Sequence, residues 1–181
     1  KVFYLLLKIL NLFGVFLFKR EGGFLVTVNL SKCTDYLKKN IDCSAAHGKA
    51  LMFSFINDGP YSDAIQSIQD YKLPQSLENN ASDRWSNFMK NYAVPMYCVV
   101  RSDICRSMWD GVDKIKNPSL AGEIVPSSIM VISGRIIELD FLYLVRHIHK
   151  KRTNLPTVYD WIVAKDWSQS FQIAKKTLKN T

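Results

Sequence analysis

The sequence predicts an α/β fold built on an open, mostly parallel sheet with helices on both faces. Short apolar stretches rich in β-branched residues alternate with amphipathic segments along the chain, an order that is typical of βαβ units. The predicted strands are mainly apolar, as expected for a parallel sheet that helices cover on both sides. At 181 residues the chain is long enough to bury one core without disulfides or metal ions.

The first predicted strand covers residues 24–30 (FLVTVNL). Gly22 and Gly23 precede it, and we interpret this pair as the end of a first helix, because glycine readily adopts the left-handed conformation at a helix C-terminus. Ser31 follows the strand and is a suitable N-cap for a helix over residues 32–41, whose lysines would face water.

The middle of the chain predicts two further strands. Residues 49–58 (KALMFSFIND) run into the turn signal Asn-Asp-Gly-Pro. Residues 94–100 (VPMYCVV) lead to a helix that ends near residue 113, with Ser102 or Asp103 as its cap.

Residues 61–92 lie between these two strands and differ from them in character. They are polar, contain Pro74 and are rich in Asn and Ser. We expect two short helices joined by a loop, which would project from the main body as a small helical insertion.

The last predicted strand covers residues 128–133 (SIMVIS) and closes at Gly134. Residues 136–151 (IIELDFLYLVRHIHKK) then have the pattern of a strongly amphipathic helix. We therefore expect an α/β domain over residues 1–152 and a basic helical C-terminal extension over residues 153–181.

The first 18 residues (KVFYLLLKILNLFGVFLF) contain 14 apolar residues, enough to imitate a signal peptide or a membrane span. Lys8 and Asn11 lie near the middle of this segment, where a bilayer would tolerate them poorly. No small-residue cleavage site follows. We interpret residues 2–18 as a largely buried helix, and the alternative is a helix that contacts a membrane.

Phosphate-binding and catalytic patterns do not match the chain. A dinucleotide site needs glycines after the strand, whereas Gly22 and Gly23 come before it, and no Walker-type loop is present. Asp58, Asp103 and Asp140 lie near predicted element ends, where a turn residue, a helix cap and a first-turn charge explain them more simply. We predict no catalytic residue and no small-molecule substrate.

The cysteine and histidine spacings do not suggest a metal site or a disulfide framework. No two cysteines form a CxxC pair, and we expect buried, reduced thiols. His147 and His149 would be separated by about 200° on a helix, too far apart to share one metal ion. We predict no metal and no cofactor. The four cysteines are Cys33, Cys43, Cys98 and Cys105.

Positive charge is the strongest functional signal. The net charge of +8 and the pI near 9.3 favour a polyanionic partner, and the alternative is a solvated basic surface without a specific partner. From Arg146 to the C-terminus, eight basic residues stand against two acidic ones, a net charge of +6. Trp161, Trp167 and Phe171 are interleaved with these charges, as in proteins that combine phosphate contacts with base stacking. Alternatively, Trp161 and Phe171 anchor a helix to the core.

Several segments, taken in order, resemble a known family. They are FYLLLKILNLF, the glycine pair, GFLVTVNLSKCTDYLKK, VPMYCVVRSDICRSMWDGVDK, VPSSIMVIS and ELDFLYLVRHIHKK. Over roughly residues 2–150 this order is similar to that of the second protein of the small ribosomal subunit, in its bacterial and organellar members. Two stretches of that family, Trp-Gly-Gly-Leu-Thr-Asn and Pro-Gly-Asn-Asp, are absent. The segment IMVISGRIIELDFLYL also loosely resembles the end of the ribosomal stalk-base protein.

The resemblance implies a flavodoxin-like fold and a non-enzymatic function. The protein would be a structural constituent of the mitochondrial small ribosomal subunit, in the matrix, and would bind ribosomal RNA and neighbouring ribosomal proteins during translation. The apolar start and the absence of a first methionine fit that location. Basic side chains at helix ends and in the tail would contact RNA phosphates. They are Lys19, Arg20, Lys38, Lys39, Arg146, Lys150, Lys151, Arg152, Lys175 and Lys176.

Two hypotheses from other classes stay open at this point. One is a flavodoxin-like enzyme or nucleotide binder that uses strand ends near Asn29, Asp58, Arg101 and Ser133. The other is a subunit of a membrane complex that residues 2–18 anchor in the bilayer.

Overall fold

A mixed sheet forms the centre of the molecule. The computed structural model describes residues 15–17, 23–25, 29–56, 64–148, 160, 162–179 and 181. The strands in this part of the chain are β1 (Val15–Leu17), β2 (Gly23–Leu25), β3 (Cys43–Phe55), β4 (Ile65–Asp70), β5 (Val99–Arg101) and β6 (Arg135–His147).

Strand β3 is central, and most pairs in the described sheet are antiparallel. β6 lies parallel to β3 along one edge, whereas β5 and β4 lie antiparallel along the other. β1 pairs with β5 and β2 with β6, both antiparallel, which gives the order β1-β5-β3-β6-β2 with β4 beside β3. The α/β class is confirmed, but the prediction of a mostly parallel sheet is wrong. The link between β3 and β4, residues 56–64, is too short for the crossover of about a dozen residues that a parallel pair needs.

Helices cover both faces of the sheet, as predicted. Ala45 and Val100 belong to one core, whereas their neighbours Ala46 and Val99 belong to the other, because successive side chains of a strand point to opposite faces. The helices are α1 (Leu30–Lys39), α2 (Ala81–Lys90), α3 (Ser102–Trp109), α4 (Val125–Ser133) and α5 (Trp167–Lys179). The first core includes residues of α2, α3, α4 and α5, and the second includes residues of α1.

Two predicted elements are reversed. The predicted strand 128–133 lies inside α4, and the predicted helix 136–151 is strand β6 up to residue 147; residues 149–151 lie outside the described residues. Pro126 suits the first turn of a helix. Almost every side of α4 is buried, so its residues are apolar without a repeat. The hydrophobic pattern therefore cannot show whether this segment is a helix or a strand. β6 is apolar towards both cores, which imitates a helical pattern.

The predicted helical insertion, residues 61–92, is partly wrong. Strand β4 lies where the first helix of the insertion was predicted. Its residues pair with β3 in a hairpin, and this pairing outweighs their own preference for a helix. α2 confirms the second helix. It does not project from the body, since the indole N–H of Trp85 donates to Ser128 Oγ on α4 at 3.0 Å.

The N-terminal helix predicted over residues 2–18 is wrong for residues 15–17, which form β1, because these residues pair with β5. Residues 1–14 and 18–22 lie outside the described residues. Gly23 does not end a helix; it opens β2 opposite Arg146.

The start of α1 differs in detail from the prediction. β2 covers only the beginning of the predicted strand 24–30, and residues 26–28 lie outside the described residues. Ser31 lies within α1 and does not cap it; the N-cap is Asn29, whose side chain instead donates to the Leu142 carbonyl at 2.7 Å. The helices predicted from the α1 and α3 segments are confirmed.

All four cysteines are buried and unpaired, as predicted. Burial raises the pKa of the Cys33 thiol to about 12 and that of Cys105 to about 11. Both thiols therefore stay protonated near neutral pH and act as apolar packing groups.

Candidate nucleic-acid interface

Helix α5 carries two stacked aromatic rings, of which one packs against the core and the other is exposed. Its inner side is fixed by the buried Ala174 and by Ser170, whose Oγ accepts a hydrogen bond from the Asn117 N–H at 3.1 Å. The rings of Trp167 and Phe171 stack with their centroids 5.7 Å apart and their planes 26° apart. Trp167 packs against the first core, whereas Phe171 is 45% exposed. Trp167 therefore anchors the helix and leaves the Phe171 ring accessible.

Exposed lysines extend this aromatic pair. Lys175 lies one helical turn after Phe171, and Lys176 and Lys179 follow it. The helix contains no Asp or Glu, and no described carboxylate lies within ion-pair distance of these lysines. We name this surface the α5 ridge. It consists of Trp167, Phe171, Lys175, Lys176 and Lys179.

A second preorganised cation lies on β6, at the face that α1 covers. The Arg146 guanidinium donates to Tyr71 Oη at 2.8 Å. Its central carbon lies 5.2 Å from the ring centroid of Tyr71 and 5.6 Å from that of Tyr97. Within the described residues no carboxylate pairs with it. We name this arrangement the Arg146 frame. In this frame two uncharged tyrosines hold the guanidinium in place. Its remaining N–H groups can still donate to a phosphate oxygen.

Two predicted lysines lie in the last turn of α1. Lys38 and Lys39 are exposed there and favour the negative end of the helix dipole. Lys38 Nζ lies 3.4 Å from Asp35 Oδ1, an exposed pair that holds it only weakly. Nearer the start of α1, the Lys32 ammonium lies 5.0 Å from the ring centroid of Phe141.

The structure does not bring the predicted basic residues together on one surface. Lys38, Lys39 and Arg146 lie on the side of the sheet that carries α1, whereas Lys175 and Lys176 lie on a helix of the opposite side. The remaining five lie outside the described residues. They are Lys19, Arg20, Lys150, Lys151 and Arg152.

Two other arginines are structural. Arg84 is 7% exposed and donates to the Val131 and Ile132 carbonyls at the end of α4, at 2.9 and 2.7 Å, as well as to two carbonyls before α2. Arg101 donates to the Leu37 and Asn40 carbonyls at the end of α1 and to the Cys43 carbonyl at the start of β3. Each guanidinium neutralises the carbonyl end of a helix, so neither is available to a ligand.

Other exposed cations already have carboxylate partners. Lys49 Nζ lies 2.5 Å from Asp140 Oδ1, and this hydrogen bond raises the pKa of Lys49 and lowers that of Asp140. Arg135 pairs with Asp42 in the same way, and the hydrogen bond raises its pKa. These pairs reduce the positive charge near the start and the middle of β6, in contrast to the α5 ridge.

The residues of the enzyme or nucleotide-binding hypothesis do not converge where they are described. Asn29 and Arg101 contact opposite ends of α1, a helix of ten residues and about 15 Å in length. Ser133 ends a helix, not a strand. Asp58 lies outside the described residues.

The histidines serve the fold in the part of the chain that the structure describes. His47 is buried, with Nδ1 2.9 Å from the Gly48 carbonyl and Nε2 3.0 Å from the Pro74 carbonyl. The His147 ring stacks on Phe53 at 5.2 Å. Within the described ranges no three His, Cys, Asp or Glu side chains are arranged to hold a metal ion.

Tyr71 and Tyr97 are the functional candidates that sequence reasoning missed. Tyr71 precedes Arg146 by 75 residues, and neither tyrosine carries a local signal of its role. Among the described helices, none is both long and apolar enough to cross a bilayer. Comparison of the chain with protein-family models, with curated protein sequences and with solved structures finds no match.

Proposed function

We propose that this protein binds RNA without catalysing a reaction, as a structural constituent of a mitochondrial small ribosomal subunit. The observation that carries the proposal is the α5 ridge, where an exposed phenylalanine ring lies one turn before Lys175 on a helix whose three lysines no described carboxylate neutralises. Lysines without acidic partners can neutralise RNA phosphates, and the counterions bound to the RNA are then released, which favours binding. An exposed ring offers a stacking surface to an unpaired base.

The Arg146 frame supports the same chemistry on the other side of the sheet. A guanidinium already oriented by Tyr71 and Tyr97 loses little further freedom when it binds a phosphate. Two separate basic surfaces suit a protein that is enclosed by folded RNA better than one that binds a single short strand. That is the situation of a ribosomal protein.

The ribosomal assembly and the mitochondrial location enter the proposal through the family resemblance. Two of its segments, 125–133 and 138–151, have the opposite secondary structure to the one that the resemblance implies, as far as they are described. The flavodoxin-like strand order stays a prediction; within the described sheet only the β3–β6 pair has the parallel arrangement that such an order requires. The assembly therefore needs a test that is separate from RNA binding.

RNA binding is tested by fluorescence anisotropy with a labelled single-stranded RNA across a salt series. Replacing Lys175, Lys176 and Lys179 with Gln should lower the slope of log affinity against log salt by about 2. Phe171→Ala should weaken binding roughly 5- to 150-fold, as loss of one stacked base does. The control replaces Lys90 and Arg106, exposed on other helices, with Gln. Equal effects of control and ridge variants would contradict a specific role for the ridge.

The assembly is tested by sedimentation of a mitochondrial lysate with and without ribonuclease, at moderate and high salt. Comigration with the small ribosomal subunit, lost on RNA digestion, is the expected result. A protein that binds RNA in solution but sediments as a free chain of about 20.8 kDa would refute the ribosomal part alone.

A further inference from the structure

The α5 ridge offers a stacking position to one base. The Trp167 ring packs against the first core and also stacks on Phe171. It therefore covers one face of the Phe171 ring, and the part that stays exposed has room for a single base. Proteins that hold extended single strands stack successive bases on several rings, whereas α5 contains no third aromatic residue. The ridge is therefore poorly suited to an extended single strand.

The three lysines of the ridge diverge around the helix. Lys175 and Lys179 follow Phe171 in steps of four residues, each about 6 Å along the axis and about 40° around it. Lys176 lies about 100° around the axis from Lys175. A single strand that follows the stripe from Phe171 passes Lys175 and Lys179, whereas Lys176 faces another side. Two RNA backbones can contact all three lysines, as the two strands of a duplex provide.

Positive charge is confined to one end of the ridge. The three lysines all follow Phe171, and α5 contains no acidic residue. Before the ring, Lys165 and Asp166 offset each other. RNA phosphates are therefore favoured on one side of a base that stacks on Phe171. A base that is turned out of a duplex has its phosphates on the duplex side only, which matches this distribution of charge.

We propose that the α5 ridge selects an unpaired nucleotide that is turned out of an RNA duplex. The unpaired base stacks on Phe171. Lys175 and Lys179 bind phosphates of the same strand, and Lys176 binds the opposite strand. This inference rests on the proposed RNA binding and adds the kind of RNA structure that the ridge distinguishes.

Four labelled RNAs test the proposal on the full chain by fluorescence anisotropy at one salt concentration. They are a hairpin with a single-nucleotide bulge, the same hairpin with an abasic bulge, the fully paired hairpin, and a single strand with the sequence of the bulged arm. The bulged hairpin should bind roughly 5- to 150-fold more tightly than the paired and abasic hairpins, as expected for one stacked base. The single strand should also bind more weakly than the bulged hairpin.

Variants of the ring assign this preference to Phe171. Phe171→Leu keeps an apolar side chain against Trp167 but removes the ring, so the affinity for the bulged hairpin should fall to that for the paired one. Phe171→Tyr keeps the ring and should retain the preference. Ile41→Ala is the control, because it also removes an exposed apolar side chain, one that is 85% exposed and lies outside α5. It should leave all four affinities unchanged.

A lysine variant tests the contact with the second strand. Lys176→Gln should weaken binding of the bulged and the paired hairpin equally, and should lower the slope of log affinity against log salt by about 1 for both. The slope for the single strand should change less. An equal change for all four RNAs would contradict a contact of Lys176 with the opposite strand.

Two results would overturn the selection of an unpaired nucleotide. Equal affinity for the bulged and abasic hairpins would show that no base stacks on the ridge. Tighter binding of the single strand than of the bulged hairpin would identify an extended strand as the ligand. In both cases salt-sensitive binding would still sustain the proposed function, whereas a failure to bind any of the four RNAs would refute RNA binding itself.

Discussion

The two halves of the central strand β3 have different environments. From Cys43 to Ala50, every side chain except Lys49 is buried, and cores lie on both faces. From Leu51 to Phe55 the residues are only half-buried, and the neighbouring strand β4 is exposed throughout. The first half therefore holds the fold together. The second half is also largely apolar, but within the described residues its side chains are only partly covered.

The largest expected effect contrasts the same substitution in the two halves of the sheet. Ile136→Ala removes a side chain that is completely buried in the first core and should lower the free energy of unfolding by about 2–5 kcal/mol. Ile68→Ala, on the exposed strand β4, should change it by less than about 0.5 kcal/mol. Urea denaturation followed by circular dichroism measures both. Similar losses would show that the distal half also contributes to the core.

A smaller effect is expected where β3 passes closest to β6. A Cβ added at Gly48 would contact the Phe141 carbonyl and lie 2.7 Å from two atoms of its ring. Gly48→Ala should therefore lower the free energy of unfolding by about 1–3 kcal/mol, because the added methyl group overpacks the contact between β3 and β6. Gly122→Ala is the matched control, because nothing lies within 4 Å of its added Cβ, and it should be neutral or slightly stabilising. If both variants unfold at the wild-type urea concentration, the strands are less tightly packed than described.

The smallest effect concerns one hydrogen bond that crosses the second core. The Tyr143 hydroxyl donates to the Tyr97 carbonyl at 2.8 Å, and both residues are buried. Tyr143→Phe keeps the ring and leaves that carbonyl without this donor, so the free energy of unfolding should fall by about 0.5–1.5 kcal/mol. Thermal unfolding of the variant and the wild type measures the difference, and an unchanged midpoint would mean that the hydroxyl contributes nothing.

Local sequence was sufficient for the helices that have one apolar side. α1 and α5 alternate buried residues such as Cys33 and Ala174 with exposed lysines, and both were predicted. α4 and β6 were exchanged because α4 is buried on nearly all sides and β6 borders both cores. In such segments the hydrophobic pattern indicates that the residues are buried, but it does not distinguish a helix from a strand. β4 was missed because its strand character depends on pairing with β3.

The candidate site was predictable in charge but not in arrangement. Lys175 and Lys176 could be chosen from the clustered charge and the nearby aromatic residues. The choice of Arg146 had the same basis, but its preorganisation depends on Tyr71 and Tyr97, which only the folded sheet brings near. Nor could charge alone show that Arg84 and Arg101 serve helix ends, since that depends on carbonyls from other elements.

The parallel pairing of β3 with β6 has a consequence for synthesis of the chain. Lys49 and Asp140, which meet across this pair, are 91 residues apart in the sequence. A ribosome making this protein releases β3 well before β6, so the first half of β3, which is buried in the folded protein, lacks its parallel partner until then. Closing so long a loop makes the pairing slow. The sheet around β3 can therefore be completed only after residue 147 has emerged.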